Sequence, residues 1–103
     1  MKQFYILYTS PRIGGDYESQ IGQSLEDFIE HMAHHYYQSG FTQAPDVKKL
    51  TRYDMDTDHE FNCGGIVEGW FEDKVQARLE GLVREGIANL RHEYSLAAGG
   101  EKL

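Results

Sequence analysis

The chain has 103 residues, 40% hydrophobic and 26% charged, which is the profile of a single compact globular domain and not of a disordered or fibrous chain. Its formal net charge of -7 argues against a nucleic-acid partner, because phosphate binding needs a clustered Lys/Arg surface and only Lys48-Lys49 clusters here. No apolar run approaches the roughly 18 residues that span a bilayer, the N-terminus lacks a signal peptide's apolar core, and Cys63 is the single cysteine; these features predict a cytoplasmic protein with no membrane partner, no intrachain disulfide and no cysteine-based zinc cluster.

Residues Lys2 to Thr9 alternate around aromatic and β-branched side chains until Ser10-Pro11 and Gly14-Gly15 stop them, which predicts a first strand. Arg12 to Gln23 then reads as a polar, glycine-containing loop, longer than most strand-to-helix connections, and loops of that length serve as lids or are surface insertions. Ser24-Leu25-Glu26-Asp27 has the form of a capping box and opens a helix. Leu25, Phe28, Ile29, Met32 and Tyr36 form its apolar face, and Gly40 closes it. Asp27, His31 and His35 fall in a row on one shoulder of that face, while His34 points outward.

Val47 to Tyr53 predicts a second strand, Asp54 to Asn62 an acidic loop, and Gly65 to Phe71 a third strand, since Ile66-Val67 and Trp70-Phe71 have high strand propensity. Asp54, Asp56 and Asp58 imitate the start of a calcium loop, but His59 replaces the required glycine and Gly65 the bidentate glutamate, so the segment reads as a solvated acidic turn. From Asp73 a second helix follows, with Val75, Leu79, Leu82, Val83, Leu90 and Tyr94 on one face and Gly86 where a neighbour can approach. The tail, residues 95–103, offers only poor strand propensity for a fourth strand.

The strand, helix, strand, strand, helix order, with a doubtful final strand, predicts an α+β, ferredoxin-like βαββα(β) domain with helices on one face of an antiparallel sheet. Phe4, Ile6 and Tyr8 alternate with Tyr5 and Leu7 in the first strand, and Ile66 and Trp70 with Val67 and Phe71 in the third, so both sheet faces are apolar. The face without helices then predicts a homodimer. Within the predicted third strand Glu68 is a carboxylate among apolar residues, and it reads either as a structural group paired with Arg52 or a lysine or as a general acid or base. The histidine row likewise reads as a wet helix shoulder, as catalytic or substrate-contacting His31 oriented by Asp27, or as a metal site still lacking a third ligand.

Phe28 with His31, the strand end Leu50-Thr51-Arg52-Tyr53 and the run Gly65-Ile66-Val67-Glu68-Gly69-Trp70-Phe71-Glu72-Asp73 together resemble the EthD-like and muconolactone-isomerase-like dimeric α+β barrel proteins over residues 2 to 94. That resemblance implies a cofactor-independent enzyme that isomerises, cyclises or oxidises a hydrophobic ring-containing metabolite. The alternative is a non-catalytic small-molecule-binding or stress-associated dimer. The cysteine that follows the glutamate in one branch is Gly69 here, and Cys63 does not replace it. On this reading His31 and Glu68 are catalytic, Tyr53, Asp27, His35, Tyr36 and Trp70 border a small hydrophobic ligand, and neither a metal nor a cofactor is required.

Overall fold

The computed structural model describes residues 2–10 and 15–102, with side chains as far as Ile87. Six elements follow in chain order: β1 (Gln3–Thr9), β2 (Asp16–Glu18), α1 (Leu25–Gln38), β3 (Val47–Asp54), β4 (His59–Asn62) and α2 (Gly65–Lys102). The strands form one antiparallel sheet in the order β2-β1-β3-β4, flanked by the two helices. The α+β class and the antiparallel sheet with two flanking helices are therefore observed. The barrel is not: β2 and β4 are free edges and the sheet stays open.

The element order also departs from βαββα(β). The segment expected to be a long loop supplies β2, whose Tyr17 pairs with Leu7, and its turn is held by Ser19 N–H to Tyr5 O (2.8 Å) and Gly22 N–H to Gln3 O (2.8 Å). These bonds tie residues 15–23 to the sheet where the sequence predicts a loop, while residues 12–14 of that expectation lie outside the described residues. The acidic stretch likewise contains an element, β4, after a tight turn in which Asp58 takes a positive φ of 56°.

The largest correction concerns Gly65 to Phe71, which is the first part of α2 and not a strand. Gly64, with φ 96°, turns the chain out of β4 in a conformation that side chains resist. From there the apolar residues run at helical spacing: Val67, Phe71, Val75, Leu79 and Leu82 face the core, whereas Ile66 is 92% exposed. The helix continues through Lys102 in place of a fourth strand; the side chains of Leu90 and Tyr94 lie outside those described.

The start of α1 follows the sequence closely. Ser24 is its N-cap, accepting the Asp27 backbone N–H, and Phe28, Ile29, Met32, Ala33 and Tyr36 are buried. Leu7 of β1 and Leu50 of β3, directly paired, meet these residues together with Phe71, Val75 and Leu79 of α2. Phe28 and Phe71 join the two helices, with ring centroids 5.4 Å apart. Outside the core, the Arg78 Nε donates to both carboxylate oxygens of Glu30 at 2.8 and 3.0 Å. At Gly86 a methyl group would overlap the Tyr37 hydroxyl, so the close approach expected of that glycine is present.

Candidate functional site

Glu68 sits in the first turn of α2, and its Oε2 accepts the backbone N–H of Leu50 at 2.9 Å. One turn on, Glu72 Oε2 accepts the Val47 N–H at 2.8 Å, and a further turn on Gln76 Oε1 accepts the Ala44 N–H at 2.7 Å. The cause is the shortness of β4. It pairs with Thr51 to Asp54 only, so the first half of β3 has no neighbouring strand on that side, and unpaired edge groups there need other partners. Three side chains at i, i+4 and i+8 of α2 supply them. Glu68 thus anchors a helix to a sheet edge, and no salt bridge to Arg52 or a lysine is present among the described residues.

Asp27, His31 and His35 do lie in a row, along an open depression on α1 that also involves Glu30, His34 and Gln38. Every one of these residues belongs to α1. Asp27 and His31 are exposed, with the His31 ring 6.4 Å from the Phe28 ring between centroids. His35 packs against Tyr17 with centroids 4.9 Å apart. Among the described residues no group of three or more His, Cys, Asp or Glu is arranged to hold a metal ion.

The remaining expected ligand contacts are dispersed. Tyr36 is a core residue, stacked on Phe41 at 5.4 Å, and burial pushes its hydroxyl pKa upward. Tyr53 pairs with Phe4, stacked at 5.1 Å, on the sheet face turned away from the helices. Trp70 borders a shallow groove with Ile29, Lys74 and Arg78 between the helices. His31, Tyr53 and Glu68 therefore share no cavity among the described residues.

A different set of residues does converge. Sheet register places Tyr5, Arg52 and Phe61 side by side on the helix-facing side of β1, β3 and β4. With Leu25 at the start of α1 and Asn62, Cys63 and Val67 at the start of α2, they line a cavity of about 270 Å³. The Arg52 guanidinium lies over the Phe61 ring, 5.2 Å from its centroid, and its Nε is buried with no hydrogen-bond acceptor. Burial pushes the Cys63 thiol pKa up, Arg52 pulls it back and Glu68 adds to the rise, so the thiol stays protonated near neutrality. This cavity was not legible from sequence, because it depends on the cross-strand register that brings Tyr5, Arg52 and Phe61 together. Its only linear signal is the alternation of Leu50 and Arg52 on one face of β3.

The opposite sheet face carries Phe4, Ile6, Tyr8, Thr51, Tyr53 and Glu60. The Tyr8 and Thr51 hydroxyls both donate to Glu60 Oε1, the latter at 2.7 Å, and Lys49 Nζ lies 5.5 Å from the Tyr8 ring centroid. The Tyr8 hydroxyl first, then Thr51, holds the Glu60 carboxyl below its ordinary pKa. A folded-state pKa below the unfolded one contributes stability that is present above about pH 4.3 and lost as pH falls through the folded value. Denaturant midpoints measured downward from neutral pH are thus expected to fall less steeply below about pH 4.3 in Glu60→Gln than in the parent chain. An unchanged acid slope would show that these hydrogen bonds do not form in solution.

No family model, curated protein or solved structure matches this chain. The glycine-to-phenylalanine run that carries the barrel resemblance is helical and the sheet is open, so the barrel expectation is set aside. Among the described residues no helix is long and apolar enough to cross a membrane.

Proposed function

We propose that this chain is a non-catalytic small-molecule-binding module that works as a homodimer. The observation that carries this reading is the division of labour among its polar groups. Proton-transfer chemistry needs an acid and a base facing one substrate within about 3 Å of the reacting atoms. Here Glu68 is engaged by the Leu50 N–H, and the histidines stand in a row on α1 apart from it. The cavity walled by sheet and helix starts holds instead two aromatic side chains, two aliphatic ones, a thiol and a guanidinium, with Asn62 at its border. That composition suits recognition: mostly apolar walls with a few convergent polar groups.

Amide chemical-shift mapping tests the binding part with benzyl alcohol, a neutral aromatic small enough for the cavity. Saturable shifts at Tyr5, Phe61, Cys63 and Val67 are expected. Shifts absent there, or spread over the surface without saturating, would overturn the reading.

The dimer reading draws on the open sheet face, where Phe4, Ile6 and Tyr53 are only partly covered. A second copy can bury that apolar row against its own, an isologous contact. Sedimentation at micromolar concentration is expected to give a dimer for the parent chain and a monomer for Ile6→Lys, which puts a charge into the middle of the row. A monomeric parent chain refutes the dimer.

A further inference from the structure

We infer that the cavity between Arg52, Phe61 and Tyr5 is a site for a small carboxylate carried on a flat apolar body, with the Arg52 guanidinium as the group that reads the carboxylate. This rests on the binding-module reading above and names the class of ligand that reading leaves open.

Arg52 is the first support. The chain carries 17 Asp and Glu against 10 Lys and Arg, yet among the described lysines and arginines only Arg78 forms a salt bridge, so what distinguishes Arg52 is its place in the cavity wall and its buried, unpartnered Nε. Arg78, by comparison, is engaged by Glu30 through both carboxylate oxygens. Arg52 forms no salt bridge among the described residues, and its buried Nε lacks an acceptor. A buried guanidinium N–H without an acceptor is unfavourable, and a carboxylate held against the cavity-facing N–H groups of the same guanidinium offsets the burial of its charge. A guanidinium presents parallel N–H groups in a planar fork, which matches the two oxygens of a carboxylate.

The walls supply the second support. Phe61 already lies against the guanidinium plane, and Tyr5, Leu25 and Val67 complete an apolar lining. A volume of about 270 Å³ admits one ring and its substituent, not a long chain or a nucleotide. Asn62, at the end of β4, borders the same cavity, although its register opposite Thr51 sets its side chain on the other face of the sheet. The first turns of α1 and α2 border the cavity through Leu25 and Val67, but Glu26, Asp27 and Glu68 in those same turns offset their positive ends, so Arg52 is the group that sets the sign of the ligand. Cys63 adds a neutral thiol to the lining and no competing negative charge.

The experiment compares benzoate with benzyl alcohol, which keeps the ring and lacks the carboxylate, by amide chemical-shift titration of the full chain. Benzoate is expected to bind at least tenfold tighter, with its shifts centred on Arg52, Phe61, Asn62 and Cys63. That preference is expected to vanish in Arg52→Gln, and to survive in part in Arg52→Lys, which keeps the charge and loses the fork. Equal affinity for the two compounds would overturn the carboxylate assignment while leaving the binding module standing. Binding of neither would overturn both. Should Arg52→Gln fail to give a folded spectrum, the comparison of the two compounds on the parent chain still decides, since it requires no substitution. Benzoate shifts that saturate elsewhere on the surface, or a preference that persists in a folded Arg52→Gln, would equally refute the assignment.

Discussion

Phe71→Ala is expected to cost about 3–5 kcal/mol of unfolding free energy, whereas Ile66→Ala changes it by less than about 0.5 kcal/mol. The contrast follows from helical geometry. Phe71 is fully buried, its ring 5.4 Å from that of Phe28, so its removal opens a void where the two helices meet. Ile66 stands 92% exposed in the first turn of α2 and loses almost no packing when truncated. A strand through the same residues would put Ile66 and Trp70 on one face and Val67 and Phe71 on the other, each face having something to cover. Urea unfolding of the two variants decides: comparable losses from both would restore the strand and dismantle the α2 boundary.

That boundary is also where sequence reading and structure part. The run from Ile66 to Phe71 contains β-branched and aromatic residues between glycines, and local propensity alone favours sheet. The deciding signal was present but longer in range. The face read from Val75, Leu79 and Leu82 extends backward by fours to Phe71 and Val67, and a helix that continues a packed stripe overrides the preference of six residues. Where local and tertiary signals agreed, the sequence was sufficient: the Ser24 cap and the buried stripe of α1 stand as expected, and β3 spans Val47–Asp54 against the expected Val47 to Tyr53. β2 and β4 escaped notice because they are short and polar. Asp16-Tyr17-Glu18 and His59 to Asn62 show little alternation, and pairing with a central strand, not propensity, makes them extended.

The candidate sites separate along similar lines. Helix periodicity placed Asp27, His31 and His35 in a row, because that inference needs only the helix itself. Bringing Tyr53 or Glu68 to the same place required a tertiary contact that no spacing encodes. Tyr53 faces away from the helices, and moving Glu68 from strand to helix aims its carboxylate along the β3 edge. The Arg52 cavity is the converse case, since three strands contribute one residue each and their register alone makes them neighbours.

The carboxylate that stood out in the sequence gives the last test. Glu68→Leu is expected to destabilise the fold by about 1.5–3 kcal/mol, the range for a hydrogen bond to a charged group whose loss leaves a buried partner unpaired. Leu50 is fully buried and α2 covers that edge of β3, so water cannot readily replace the missing acceptor. Glu68→Gln keeps a carbonyl oxygen at the same reach and is expected to cost less than about 1 kcal/mol. Hydrogen exchange supplies the site-specific reading: the Leu50 amide should lose protection in Glu68→Leu, while the Val47 amide, held one turn away by Glu72, should keep more of its own. If Glu68→Leu leaves both stability and Leu50 exchange untouched, the edge does not depend on this carboxylate. Glu68 would then be free to meet a ligand, and a purely binding module would no longer follow from its engagement with β3.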